Sequence, residues 1–573
     1  MSRVARLVQR VVESLHYGAS TPFHGVYTLL FSWGHRNPSC GLALFCTLGL
    51  AVALAVPPLR AQTYTDLHDF DCTVEGCQPT YPEALAQGRD GNLYGTTEAG
   101  GTSGMGTVFK VTPSGAMTTL HNFSGTDGQN PSSGLTLGTD GNFYGTTELG
   151  GASNDGTIFR ITPAGVLTTL HSFTGADGAI PRGAPVLGKN GSLYGTTCSQ
   201  FGPWTAYSIT QAGVFKLLSS SIPPCPFGPL ELGGDGNFYG TSQVGGTTYQ
   251  GTVFRLTPSG GVTVIYNFDY THGAYLYSPV VQGNDGVLYG TTSGGGSAQA
   301  GVVFKLTTAG KLTVLHTFDA NILTDGTTPF AGLVAASDGK YYGATSGGNN
   351  FGSAPSGTIF RIGSNGAYSV QNTFDSTHGA LEEATPMQHT NGKIYGLTER
   401  GGAQTAGVLY DLDAGLPQFV ALVTIFGGTG QKVQILGNGL TGTTAVHFGA
   451  ASASFTVSSD TFITATIPAD ATTGFVTVTT PSGTLTSSRQ FHVVPTISSI
   501  APTSGPVGTL VTINGTGLLG ATRVTFGGVV SSFTVVSSSK ITATVPTGAV
   551  TGKVTVKTPG GSASSSATFT VTP

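Results

Sequence analysis

The sequence predicts an all-β protein, a seven-bladed β-propeller followed by two small β-sandwiches. Three observations predict it. Variants of Gly-Asn-Leu-Tyr-Gly-Thr-Thr recur seven times, with Tyr94, Tyr144, Tyr194, Tyr239, Tyr289, Tyr342 and Tyr395 spaced 45 to 53 residues apart. A period near ~50 with strand-like content marks a propeller or an array of small β units. Beyond Leu416 this period stops and another begins, 78 residues long between Val433 and Val511. Composition agrees: 88 glycines, 39% hydrophobic residues and only 9% charged ones describe β-formers separated by tight turns. The apolar fraction is too high for a disordered chain.

The elements follow in chain order. Only the first 20 residues carry a helix-like apolar stripe. Cys40 to Val56 is an apolar run, preceded by Arg36 and followed by Pro57-Pro58-Leu59-Arg60-Ala61. That order is expected of a secretory signal cut after Ala61, with Ala53-Leu54-Ala55 as a second possible cut. An uncleaved anchor is the alternative reading, the run being at the short edge of a membrane span. Residues 1–61 are therefore assigned to an extension and signal peptide. Residues 1–39 are long for the leading part of a signal, which would set the true start downstream. The mature protein is expected to be secreted or at the cell surface, monomeric and not inserted in a membrane. Four of its cysteines remain, Cys72, Cys77, Cys198 and Cys225, an even number that an exported chain can pair. Cys72 with Cys77 would close a short loop; Cys198 and Cys225 share the most divergent repeat. No His/Cys cluster has metal-ligand spacing, so no metal and no cofactor is expected.

Residues 62–414 form the repeat region. Its second copy, Gly134 to Phe173, contains four short strand-like runs. Asp140-Gly141 separates the first two and Pro163-Ala164-Gly165 the last two, both turn signals. A Gly-Gly loop joins the middle pair. Four antiparallel strands per repeat make a propeller blade. Third strands carry Phe109, Phe159, Tyr207, Phe254, Phe304, Phe360 and Tyr410, an aromatic suited to packing between blades. Fourth strands end in motifs such as His121-Asn122-Phe123. The seventh repeat has no fourth strand, yet Leu67-His68-Asp69-Phe70 stands alone ahead of the first. Residues 65–70 are therefore expected to close the ring as the outer strand of blade seven, removing exposed strand edges.

Residues 415–494 and 495–573 form the longer repeat. Val433-Gln434-Ile435 answers Val511-Thr512-Ile513, and Val476-Thr477-Val478 answers Val554-Thr555-Val556. About seven short strands per copy fit a small sandwich. Because only Val494-Pro495 joins the copies, a semi-rigid tandem rod is expected.

These residues carry two resemblances. The YGTT…GTVFKVTPSG…TLHNF unit resembles the GloVer-type repeat of exported bacterial proteins over residues 65–412. The later copies resemble IPT/TIG domains, the immunoglobulin-like fold of plexins, some transcription factors and many bacterial surface proteins. ISSIAPTSGPVGTLVTINGTGLLGATRVTFGG from Ile497 is close to the consensus; the first copy lacks the Pro-x-Ser-Gly-Pro opening. The repeat family implies export and surface display but brings no reaction and no catalytic residues. A C-terminal sorting anchor, which it would also imply, is not expected from the closing Ala567 to Pro573.

A net charge of −4 argues against nucleic-acid binding. The Asp-Gly and Asn-Gly pairs fit turns better than calcium loops. His68, His121, His171 and His316 recur at one strand position and are read as structural, as are the seven tyrosines. The frame stops agreeing four residues past each tyrosine, at Glu98, Glu148, Cys198, Gln243, Ser293, Ser346 and Glu399. If these loop ends share a face, Glu98, Glu148, Gln243, Ser293, Ser346 and Glu399 form a variable polar ring suited to a ligand. No catalytic residue is assigned. The expected function is an exported, non-enzymatic binding or adhesion-type protein, its loops holding a polysaccharide or surface protein and its sandwiches acting as a stalk. A carbohydrate-active lyase or hydrolase using loop carboxylates, and a structural matrix component, are the alternatives.

Overall fold

A computed structural model describes residues 62–79, 85–199, 202–322, 324–347 and 357–573. The signal-peptide reading and the cut at Ala61 lie outside these residues. Seven four-stranded antiparallel sheets form the repeat region. In blade one the order from the axis outwards is Ala86–Gln87, Leu93–Thr97, Thr107–Val111 and Met117–Asn122.

The tyrosines hold both the blade and the ring together. Tyr94 Oη donates to Asp90 Oδ2 at 2.8 Å, Tyr144 to Asp140 at 2.8 Å, Tyr239 to Asp235 at 2.9 Å and Tyr289 to Asp285 at 2.7 Å. Tyr342 makes the same bond to Asp338. Where the turn residue is asparagine the direction reverses: Asn190 and Asn391 donate through Nδ2 to Tyr194 and Tyr395. Each turn residue also accepts a backbone N–H two positions on, as Asp140 does from Asn142. The tyrosine rings face the neighbouring blade. Tyr94 stacks on Phe143 at 4.0 Å and Tyr289 on Tyr341 at 4.0 Å. Third-strand aromatics meet the preceding blade's last phenylalanine, as Phe123 meets Phe159.

The ring closes through its first strand. Thr63–Asp69 pairs antiparallel with Val408–Asp413, from Thr63↔Asp413 to Asp69↔Val408. A bulge leaves Leu67 unpaired, and the same bulge leaves Leu120 unpaired in blade one. Phe70 then packs on Phe109 of the first blade, 5.6 Å between ring centres.

Each C-terminal copy is a sandwich. The first pairs Ala421–Leu422, Lys432–Leu436, Phe462–Thr466 and Phe455–Ser459 in one sheet against Ala451–Ser452, Ala445–Phe448, Val476–Thr480 and Gly483–Thr486 in the other. The second repeats this plan around Val511, Ile513, Phe526, Ile541, Val554 and Val556, the counterparts of Val433, Ile435, Phe448, Ile463, Val476 and Val478. Its opening strand, Thr496–Ala501, is six residues long, against two for Ala421–Leu422. The first copy also lacks the Pro-x-Ser-Gly-Pro segment that follows this strand in the second.

The first sandwich corrects the expectation of a stalk. It is docked on the propeller face that carries the Asp-Gly turns. Arg89 donates to Gln434 Oε1 at 2.8 Å and lies over the Phe462 ring at 4.9 Å. Asn438 donates to Thr390 Oγ1 at 2.6 Å, and Asn284 to the Ser488 carbonyl at 3.1 Å. Arg489 pairs with Glu231 at 2.9 Å. Ile425 and Phe426 share an apolar cluster with Tyr194, Leu232 and Phe238. The second sandwich joins the first through more than the Val494-Pro495 link, since Ser538 Oγ donates to Asp470 at 2.6 Å.

Deleting residues 62–71 is expected to give insoluble or strongly destabilised protein; a deletion variant melting with the intact chain would refute ring closure by this strand. Tyr144→Phe should lower unfolding free energy by about 1–2 kcal/mol, because Asp140 loses a buried donor. Asn190→Asp should change it by less than about 0.5 kcal/mol, because the Tyr194 hydroxyl can turn from acceptor to donor. Denaturant melts of the two variants check both values.

Candidate binding mouth

With the turn face covered, the propeller's other face carries the loops after each second strand and the connections between blades. Glu98, Glu148, Cys198, Gln243, Ser293, Ser346 and Glu399 all lie here, at the start of the former loops. Their backbone N–H groups make one repeated contact. Each donates, at 3.0 to 3.3 Å, to the carbonyl of Gln78, Asn130, Ile180, Cys225, Tyr275, Thr328 or Leu381. Those seven acceptors all have positive φ, between 47° and 61°. Five of them, Gln78, Asn130, Ile180, Tyr275 and Thr328, also donate their N–H to the preceding blade. The left-handed conformation lets one residue bond both neighbours. For β-branched Ile180 and Thr328 it costs on the order of 1–2 kcal/mol, which the two bonds offset.

Two residues past the left-handed one, and four before each innermost strand, stand Ser132, Arg182, Phe227, Tyr277, Phe330 and Glu383. The seventh equivalent, in blade one, lies outside the described residues. Unlike the framework positions of the repeat, this one varies, with three aromatic residues among serine, arginine and glutamate. Its side chains touch around the mouth. Arg182 lies over the Phe227 ring at 4.1 Å. Phe227 meets Tyr277 edge-on at 5.1 Å, and Tyr277 meets Phe330 at 4.7 Å. Tyr277 and Phe330 are half-exposed while Phe227 is buried. Gln243 Nε2 donates to the Tyr277 hydroxyl at 2.6 Å.

The opposite arc is acidic. Ser132 Oγ donates to Glu148 Oε1 at 2.8 Å, and Arg182 Nε approaches the same oxygen at 3.4 Å. Burial raises the Glu148 carboxyl; Arg182 and Ser132 oppose this and Glu98 adds to it. Burial pushes Glu383 up to about 7, with Glu399 and Glu98 acting the same way and Arg400 against. Beneath it the Tyr410 hydroxyl donates to buried Glu382, whose carboxyl burial drives well above the ordinary range.

The polar ring expected from sequence is thus divided. Glu98, Glu148, Gln243 and Glu399 join the mouth. Ser293 and Ser346 do not: both are buried, and their hydroxyls donate to the Tyr275 and Thr328 carbonyls at 3.0 and 2.7 Å. A short side chain at this position reaches its own connection before it reaches the mouth. Cys198 is bonded to Cys225 and Cys72 to Cys77, with Cα separations of 4.3 and 4.6 Å. The repeated histidines hold the connections: His121 meets Asp127 at 2.8 Å, His171 Asp177 at 2.9 Å and His316 Asp325 at 2.9 Å. Among the described residues no group of acidic, His or Cys side chains could hold a metal ion.

Between the innermost strands and the first sandwich lies a cavity of about 310 Å³. Pro279, Thr385 and Met387 line its wall, and Phe419, Ala421 and Arg489 of the first sandwich form its floor.

The Gloeobacter/Verrucomicrobia repeat family model matches residues 56–218 and 226–463, more than half of the chain, and the IPT/TIG domain model matches residues 495–571. No curated relative matches. Among solved structures, virginiamycin B lyase from Staphylococcus aureus is similar at 16% identity and a TM-score of 0.42, over 61% of this chain and 98% of that one. A putative 6-phosphogluconolactonase from Bacteroides uniformis is similar at 15% identity and a TM-score of 0.37, over 55% and 94%. The surface glycan-binding protein PbSGBP-B from Prevotella bryantii is similar at 17% identity and a TM-score of 0.21, over 26% and 41%. These likenesses are too remote to carry an activity across.

The raised Glu383 carboxyl gives a signed pH effect. Its folded value, about 7, stands above the ordinary ~4.3, so its contribution to stability is complete below about pH 4.3 and is lost as pH rises through 7. Glu383→Gln should therefore gain melting temperature relative to the native chain between about pH 5 and pH 8. A difference that stays constant across that range would contradict the assignment.

Proposed function

The chain belongs to the Gloeobacter/Verrucomicrobia repeat family and carries an IPT/TIG domain, and on that premise we propose that it is an exported, non-enzymatic glycan-binding protein. The ligand sits on the open mouth of the propeller. One observation carries this reading: a single structural position, described in six blades, abandons the repeat and supplies a serine, an arginine, a glutamate and three aromatic side chains to one rim. Half-exposed Tyr277 and Phe330 offer apolar faces to a sugar ring, and Arg182, Gln243, Glu148 and Glu399 offer hydrogen bonds to its hydroxyls. Most of these groups are already held by neighbours, so little ordering is required on binding. Two disulfides support an oxidising compartment.

A second reading rests on Glu383. A carboxyl titrating near 7 beside other carboxylates suits a general acid, so a carbohydrate-active enzyme remains the competing function.

Screening the full chain against a polysaccharide panel separates the two. Binding without product release is expected. Tyr277→Ala or Phe330→Ala should weaken it about tenfold, the loss of one aromatic contact of ~1.4 kcal/mol. No binding to any glycan would overturn the proposal. Product release abolished by Glu383→Gln, with binding retained, would establish the enzyme instead.

A further inference from the structure

The second sandwich carries a site of its own chemistry. Residues 495–573 contain four cationic side chains, Arg523, Lys540, Lys553 and Lys557, and no Asp or Glu at all. The first sandwich, residues 415–494, is balanced, with Lys432 and Arg489 against Asp460 and Asp470. Three of the four cations share one sheet face. Arg523–Phe526 pairs with Gly552–Thr558 in the register Arg523↔Lys557, Val524↔Val556, Thr525↔Thr555 and Phe526↔Val554. Val524, Phe526, Val554 and Val556 turn inwards and are fully buried. The alternate residues turn outwards, so Arg523, Lys553 and Lys557 stand exposed around a shallow groove of about 350 Å³. Thr525, Thr555 and Ser562 lie between them.

The sheet itself does not require this charge. Like charges directly opposite on neighbouring strands, as Arg523 and Lys557 are, destabilise a sheet. The first sandwich builds the same two strands with Ala445, Phe475 and Thr479 at the corresponding positions. The cations are therefore additions to a frame that folds without them.

We propose that this groove binds an acidic polysaccharide. Lys553 and Lys557 are four residues apart on one strand, about 13 Å, so a chain of anionic groups is needed to meet both. The hydroxyls of Thr525, Thr555 and Ser562 match sugar hydroxyls between the charges. No aromatic side chain lines the groove, which leaves no stacking platform for nucleic-acid bases. Lys553 Nζ donates to the Ser566 carbonyl, which fixes the ammonium at the rim.

The test uses the full chain and polygalacturonate, with neutral dextran, duplex DNA and phosphatidylglycerol vesicles as comparisons. The triple variant Arg523→Ala, Lys553→Gln, Lys557→Thr takes two of its substitutions from the first sandwich and should melt with the native protein. Polygalacturonate binding is expected at low salt. It should weaken at least about tenfold in the triple variant, fall with added salt, and be unchanged in Tyr277→Ala. The last result separates this groove from the mouth. Equal binding by the triple variant would overturn the proposal. So would binding to DNA or vesicles as tight as to polygalacturonate, or a loss of self-association as the only effect of the variant.

Discussion

In every blade one buried tyrosine hydroxyl meets the acidic or amide side chain of a turn four residues earlier, and the ring depends on that contact. The ring of the tyrosine is needed at the blade interface, where nothing polar belongs. Its hydroxyl must then be satisfied within the blade. The turn supplies the partner without leaving the hairpin. A single residue thus fixes the tight turn, the second strand and the seat of the next blade. Asp and Asn interchange there because the hydroxyl can donate or accept.

That shared frame leaves two faces, and the chain uses them differently. An asymmetric sandwich covers the turn face through contacts that differ from blade to blade: a guanidinium on one, an amide on another, an ion pair on a third. The opposite face carries the connections between blades. Its rim is divided into an aromatic arc and an acidic arc, with Arg182 touching both. Sevenfold structure here produces a site with no sevenfold character.

Much of the fold was legible from sequence because its determinants repeat. The tyrosines marked the blades, the orphan segment at Leu67 marked the closure, and Val433 and Val511 marked the two sandwiches. The docking of the first sandwich was not legible, because Arg89, Glu231 and Arg489 occur once each and carry no period. The mouth was half legible. Counting forward from each tyrosine found Glu98, Glu148, Gln243 and Glu399, and also Ser293 and Ser346, whose hydroxyls are too short to leave their own loops. Counting back four from each innermost strand would have found Arg182, Tyr277 and Glu383. The inter-blade connections vary in length, so that alignment needs the strand positions first.

The closing strand has a consequence for how the molecule comes into being. Thr63–Asp69 is made before any blade, and its partner Val408–Asp413 only after six blades are complete. A chain synthesised from its N-terminus must therefore keep its first strand unpaired through almost the whole of the ring. Such distant pairing is slow, and an unpaired edge invites the wrong neighbour. The contact that closes the finished ring is also one that cannot form until its distant partner strand has been made.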